Sequence, residues 1–360
     1  MKTQQQTALL TFEDGTTFEG LVFANGNDAI GEVIFNTSMV GYQEILTDPS
    51  YKGQMVVLTS PMIGNYGIID KDIESNCVQI KALLVKEYCD YPNNWEASQT
   101  LKSYLEAANV LGVEGLDTRA ITKYIRKTGA NKATLTRSES NHKLLTEEKD
   151  VLKAVSTPTI KHYPLKDKAC FKVAVVDTGI KWNILRILQE LNCEVVRFPY
   201  TITAEVLLSE GFDGVLLSNG PGDPRKAKNL VQMVQQLIGK IPIFGICMGH
   251  QILGMALGGT VEKLKFGHHG SNHPIKNLET GRVEITAQNH NYVLANDSFA
   301  SKLVKVTHTN LLDDSIAGIR HLEHPIFSVQ YHPEASPGPN DSAYLFQTFV
   351  SFMQTPTNQQ

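Results

Sequence analysis

The stretch Pro242-Ile243-Phe244-Gly245-Ile246-Cys247-Met248-Gly249-His250-Gln251 runs a short apolar strand into a glycine-flanked turn, after which a helical pattern begins. This is the sequence form of a nucleophile elbow. A nucleophile with a glycine two positions away on either side can be held in a sharp strand-to-helix turn, because the small neighbours relieve crowding while its side chain is pushed out beyond the sheet edge. The amides at the start of the following helix then face the thiol, favouring its thiolate and offering donors to an oxyanion formed beside it. On the elbow alone, a buried free cysteine at a glycine-rich turn reads the same way.

A downstream segment tips the balance. Ile326-Phe327-Ser328-Val329-Gln330-Tyr331-His332-Pro333-Glu334 reads as a strand ending in a histidine and a glutamate separated by one residue. Residues two apart in an extended segment face the same way, so Glu334 can orient the imidazole that deprotonates Cys247. Cys247, His332 and Glu334 then form a nucleophile, base and orienter in that chain order.

The segments before the elbow alternate. Strands are expected at 172–177, 194–198, 213–217 and 241–245, and helices at 181–191, 203–209 and 227–238. Such alternation predicts a doubly wound, mostly parallel sheet covered by helices on both faces, with ligands bound beyond the carboxyl ends of the strands. The elbow and the turn Asn219-Gly220-Pro221-Gly222-Asp223-Pro224 both fall there.

At 360 residues the chain is too long for one ordinary core. Residues 140–168 are polar and lysine-rich, punctuated by Pro158 and Pro164, and we place an amino-terminal domain at 1–150, a linker at 151–170 and the alternating domain at 171–360. The first domain reads as a separate, sheet-rich α/β unit. Ala8-Leu9-Leu10-Thr11-Phe12, Gly31-Glu32-Val33-Ile34-Phe35 and Gln54-Met55-Val56-Val57-Leu58-Thr59 are strand-like. Asp117 caps a helix whose Ala120, Ile121, Tyr124 and Ile125 share one face.

A formal net charge of -4 and a pI near 6.3 give no electrostatic reason to expect nucleic acid or an acidic membrane surface. No apolar run is long enough for a bilayer, and the start, Met1-Lys2-Thr3-Gln4-Gln5-Gln6, shows no signal-peptide core, so a soluble cytoplasmic protein is expected. The 5 cysteines form no Cys-x-x-Cys pair, and an odd number cannot all pair within the chain. A metal is not expected at Gly267-His268-His269-Gly270-Ser271-Asn272-His273, where no carboxylate or cysteine accompanies the histidines. The 219–224 turn lacks the Gly-Lys-Ser/Thr ending of a phosphate loop.

Gly245-Ile246-Cys247-Met248-Gly249-His250-Gln251 together with His332-Pro333-Glu334 resembles the class I glutamine amidotransferases. Asn36-Thr37-Ser38-Met39-Val40-Gly41-Tyr42-Gln43-Glu44, Leu46-Thr47-Asp48-Pro49-Ser50-Tyr51, Gly64-Asn65-Tyr66-Gly67 and Gly115-Leu116-Asp117-Thr118-Arg119-Ala120 resemble, more narrowly, the small, glutamine-hydrolysing subunits of carbamoyl phosphate synthetases. The resemblance covers nearly the whole chain; the narrower part of it rests on residues 1–150.

What it implies is hydrolysis of the glutamine side-chain amide through a thioester on Cys247. The oxyanion donors would be the Met248 amide and one in the turn around Gly220 and Gly222. Ser50, Gly220, Gly222, Gln251 and the stretch 288–292, with Asn289, Asn291 and Tyr292, would hold glutamine. Asn291 stands where the family commonly has glycine, and asparagine tolerates a left-handed turn better than most residues. The resemblance also implies a large partner subunit, docked through the amino-terminal domain, that binds ATP and Mg and makes carbamoyl phosphate from bicarbonate and ammonia. No cofactor is expected on this chain. Two other readings stay open on the residues: a free-standing γ-glutamyl hydrolase, and a catalytically silent scaffold.

Overall fold

The computed structural model describes residues 6–137, 150–165, 168–299 and 301–354. The chain divides into two compact units, one of residues 1–149 with 265–270, the other of residues 150–264 with 271–360.

The first unit contains β1 (Thr7–Phe12), β2 (Thr17–Ala24), β3 (Ala29–Asn36), β4 (Gln54–Leu58), β5 (Met62–Ile63), β6 (Ala82–Leu84), β7 (Glu87–Tyr88), β8 (Leu111–Glu114) and β9 (Lys132–Arg137). With them run α1 (Tyr42–Thr47), α2 (Leu101–Ala107) and α3 (Thr118–Thr128). Strands β1-β2-β8-β6-β4-β3-β9 close into a barrel, while β5 and β7 form a separate small sheet. The barrel mixes parallel pairs (β3 with β4, β4 with β6, β6 with β8) and antiparallel ones (β1 with β2 and β9).

Both faces of the central strands are buried, which is why they read as unbroken apolar runs. Val33, Met55, Val57, Leu84 and Val113 join one core cluster, and their neighbours Ile34, Val56, Leu58 and Leu83 join another, following the two-residue strand period. The capped helix is present as α3: Asp117 Oδ1 accepts from the Ala120 amide at 2.8 Å, and Ile121 and Ile125 enter the first cluster.

The second unit comprises α4 (Val151–Val155), β10 (Lys161–Tyr163), β11 (Phe171–Asp177), α5 (Trp182–Glu190), β12 (Cys193–Pro199), α6 (Ala204–Ser209), β13 (Gly214–Leu217), α7 (Lys228–Leu237), β14 (Ile243–Ile246), α8 (Met248–Ala256), β15 (Val261–Asn277, apart from residues 265–270), β16 (Val283–Leu294), β17 (Val304–Asn310), β18 (Ile316–His321), β19 (Ile326–Val329) and α9 (Tyr344–Gln354). The sheet order is β10-β12-β11-β13-β14-β19-β18-β17-β15-β16. Its middle, from β12 to β19, is parallel, as the alternation predicts. Antiparallel strands extend it on both sides, β10 against β12 and β18 against β19.

The parallel strands are covered twice. Ala174, Val176, Val215, Leu217 and Ile243 pack with Leu230, Val234 and Leu237 of α7 and Ile252 of α8. Val173, Val175, Leu216, Phe244 and Ile246 pack with Ile184 and Leu188 of α5 and Phe346 and Phe349 of α9. Two features depart from the sequence reading. The 151–170 stretch, read as a linker, carries α4 and the edge strand β10, because Leu152 buries into the first of these clusters and residues 161–163 pair in register with 195–197. His332 and Glu334 lie beyond β19, which ends at Val329, so they are not on a strand.

Candidate active site

Cys247 follows β14 directly and caps α8 with φ 53° and ψ -100°, a conformation that a residue with a Cβ rarely adopts. The flanking glycines make it possible. A Cβ on Gly249 would collide with the Leu217 carbonyl, and one on Gly245 would lie 2.7 Å from the Gly249 carbonyl oxygen. The main chain is pinned as well, with the Cys247 amide donating to the Val329 carbonyl at 2.9 Å. The thiol is buried and donates to the Asn289 carbonyl at 3.6 Å. Met248 opens α8, so its amide has no partner within the helix.

His332 is fixed by its backbone amide, which donates to the Ala287 carbonyl of β16 at 2.9 Å. Its Nδ1 lies 2.6 Å from Glu334 Oε1, and both side chains are almost wholly enclosed. The pairing arises in a turn, where the Ala335 amide closes on the His332 carbonyl at 3.1 Å, rather than from strand alternation. His332 Nε2 is buried and without a hydrogen-bond partner among the described residues. Burial alone would push this imidazole down, but the Glu334 carboxylate and the nearby Cys247 thiol raise it to about 10. Burial likewise opposes the Glu334 charge, yet Lys181 and His332 hold its carboxyl down at about 2.

Lys181 is a residue the sequence reading missed. Its Nζ lies 3.0 Å from Glu334 Oε1, also donates to the Ala335 carbonyl, and is buried. Asn183 Nδ2 donates to the Glu334 carbonyl at 2.6 Å. Lys181 follows the carboxyl end of β11, where Asp177 anchors the turn by accepting from the Gly179 and Ile180 amides at 2.9 Å each and from Arg197. A lysine in a loop at a strand's carboxyl end, in a sheet of this type, was the available signal.

The turn after β13 is built against the same loop. Thr178 Oγ1 donates to the Asn219 carbonyl at 2.9 Å. Gly220 packs so closely on the Thr178 carbonyl that a Cβ would collide with it, and Gly222 takes φ 91°. Asp223 and Arg225 then form a two-toothed ion pair, Nε to Oδ1 at 2.9 Å and Nη2 to Oδ2 at 2.8 Å, with the guanidinium 5.3 Å from the centre of the Tyr292 ring. The Tyr292 carbonyl accepts from Gln251 Nε2 at 2.6 Å. Cys247, Met248, Gln251, Asn289 and Tyr292 thus gather within the second unit. Asn291 is part of β16 and has no positive φ, so its tolerance of a left-handed turn is not used. Ser50 belongs to the first unit, on a single 3-10 turn (Pro49–Tyr51) capped by Asp48, whose Oδ1 accepts the Ser50 amide at 2.8 Å. His250, close to the elbow in sequence, is turned to Ser328 Oγ at 2.8 Å.

Known proteins resemble this chain along nearly its whole length. Residues 10–135 match the family model of the carbamoyl-phosphate synthase small chain, CPSase domain, and residues 174–352 that of glutamine amidotransferase class-I. The chain is 45% identical over 353 residues to the carbamoyl phosphate synthase pyrimidine-specific small chain of Bacillus subtilis, covering 96% of each. It is 47% identical to the protein of the same name from Halalkalibacterium halodurans, with 96% of this chain and 97% of that one covered. It is 46% identical to the carbamoyl phosphate synthase small chain of Aquifex aeolicus, with 97% and 100% covered. With relatives this similar along nearly its whole length, the chain belongs to the carbamoyl phosphate synthase small chains and carries their class I glutamine amidotransferase domain.

Proposed function

We propose that Cys247, His332 and Glu334 hydrolyse glutamine to glutamate and ammonia. The observation that carries this reading is the enclosed 2.6 Å contact between His332 and Glu334, which leaves the other imidazole nitrogen without a partner and the Cys247 thiol close enough to raise the imidazole. Cys247 attacks the side-chain amide carbon while its proton passes to His332 Nε2. His332 returns a proton to the departing ammonia, leaving a γ-glutamyl thioester, and then activates the water that releases glutamate. Glu334 fixes the tautomer and offsets the imidazolium charge. The Met248 amide and a donor near Gly220 and Gly222 stabilise the oxyanion, each such donor contributing roughly 3 to 4 kcal/mol in comparable enzymes. Gln251, Asn289, Asn291 and Tyr292 hold glutamine.

The ammonia passes to a large synthetase subunit, which binds ATP and Mg and uses bicarbonate to make carbamoyl phosphate; residues 1–150 provide the docking domain. The family membership and the names of the relatives support this reading. The test is glutamate release by the purified chain and by Cys247→Ala, each with and without the large subunit. Release that depends on Cys247, rises with the partner and couples to carbamoyl phosphate is the expected result. Release indifferent to the partner would point to a free-standing hydrolase, and none under any condition to a scaffold.

A further inference from the structure

Gln330 sits just past β19, 2% exposed, with its main chain pinned where its amide donates to the Ala317 carbonyl at 3.0 Å. Its side chain has two different ends, and the surroundings decide which way they point. Gln251 Nε2 donates to the Tyr292 carbonyl at 2.6 Å and to Gln330 Oε1 at 3.1 Å. A carboxamide whose oxygen is occupied by a donor must turn its NH₂ the other way. That NH₂ meets the nucleophile, with Nε2 3.7 Å from Cys247 Sγ.

The sulfur therefore has two unlike neighbours. The Asn289 carbonyl, 3.6 Å away, can only accept, so it favours the protonated thiol. The Gln330 amide can donate, and a donor gains strength when its acceptor becomes an anion. When the S–H bond breaks, the proton goes to His332 Nε2, the electron pair stays on sulfur, and the contact with Asn289 loses its hydrogen. Of the two, only the Gln330 contact improves in that step.

We propose that Gln330 is a further catalytic residue: its Nε2 donates to the Cys247 sulfur and holds the thiolate once the thiol proton has moved to His332, while Gln251 keeps the amide turned that way. This rests on Cys247 being the nucleophile, and it links the glutamine-holding side chain of Gln251 to the reacting atom through one amide.

The test reads the thiol directly, without relying on glutamine turnover. The purified chain, Gln330→Met, Gln330→Leu and Cys247→Ala are compared at one fixed pH for the rate of Cys247 alkylation by iodoacetamide, followed by peptide mass spectrometry, and for ultraviolet thiolate absorbance relative to Cys247→Ala. Either Gln330 variant, once shown folded by its melting curve, should alkylate about tenfold more slowly and lose thiolate absorbance, as expected for a lost hydrogen bond to a charged group. Its glutaminase kcat should fall more than its KM rises. A merely structural role has the opposite sign, since a loosened pocket exposes the thiol and leaves alkylation unchanged or faster. That result, in either folded variant, overturns the proposal. If Cys247→Ala instead retains glutamine hydrolysis, it is the nucleophile assignment that fails.

Discussion

Lys181 Nζ and Glu334 Oε1 lie 3.0 Å apart with 3% and 0% of their side chains exposed, so the Glu334 carboxylate has a buried cation beside it in addition to the His332 imidazole. With that ion pair in place, the proposed proton transfer from Cys247 to His332 would separate charge but add none to the enclosed site. Removing Lys181 would leave Glu334 as a buried, under-compensated anion. Lys181→Met should therefore cost about 3 to 5 kcal/mol, the usual penalty for breaking a buried pair. The double variant Lys181→Met/Glu334→Gln should recover part of that loss. Urea denaturation of the wild type, the two single variants and the double variant closes the cycle; a double variant no more stable than Lys181→Met would show that the pair is not what Lys181 serves.

Arg225 tests the proposed glutamine contact at Tyr292. It is half exposed, paired with Asp223 and placed over the Tyr292 ring. An exposed cation–π contact contributes about 0.5 to 1 kcal/mol, so Arg225→Ala should raise the KM for glutamine about two- to fivefold. It should leave kcat and the melting temperature nearly unchanged, because little is buried. Initial rates over a glutamine series check this, and a fall in kcat with KM unmoved would place Arg225 outside substrate binding.

The alternating domain was legible because its parallel strands are built mainly from Val, Ile, Leu and Phe buried on both faces, and its helices carry one apolar side. Cys247 was legible because the local geometry demands glycine at 245 and 249. The barrel was not, since closure depends on which strands pair, and β2 meets β8 across some ninety residues of intervening chain without any local signal. Gln330 and Arg225 escaped for the same reason: a glutamine and an arginine carry no pattern of their own until the fold brings them against Cys247 and Tyr292.

Acid should weaken the second unit through two buried histidines, His250 and His308. Burial pushes His250 down to about 3 and His308 down to about 4, from an ordinary 6.5, and the Nε2 of each is enclosed without a hydrogen-bond partner among the described residues. The folded state keeps both neutral, whereas the unfolded chain protonates them as the pH falls through 6.5. Between there and about 4 the unfolded state binds more protons, so stability falls on acidification and returns as the pH rises, by roughly 1 kcal/mol per pH unit for each group. His250→Gln and His308→Gln should each flatten that slope by about one proton, as read from denaturation midpoints across the window. A slope that neither variant changes would assign the acid sensitivity elsewhere.

Cys247 tests whether the elbow stores strain. Its φ of 53° is unfavourable for any residue with a Cβ, at a typical cost of about 1 to 3 kcal/mol. Ala and Gly substitutions both remove the sulfur and should both abolish glutamate release, so activity cannot separate them; stability can. In an ordinary position glycine is less stable than alanine by about 0.5 to 1 kcal/mol, because it gives up more freedom on folding. At Cys247 the alanine keeps the strained Cβ and the glycine does not, so the order should reverse, with Cys247→Gly the more stable of the two despite its more flexible unfolded chain. Paired thermal melts of the two variants decide it. If alanine wins by the usual margin, the elbow turn is relaxed, and the exposure of the thiol to its reaction partners comes from the glycine-permitted turn alone, with no stored energy behind it.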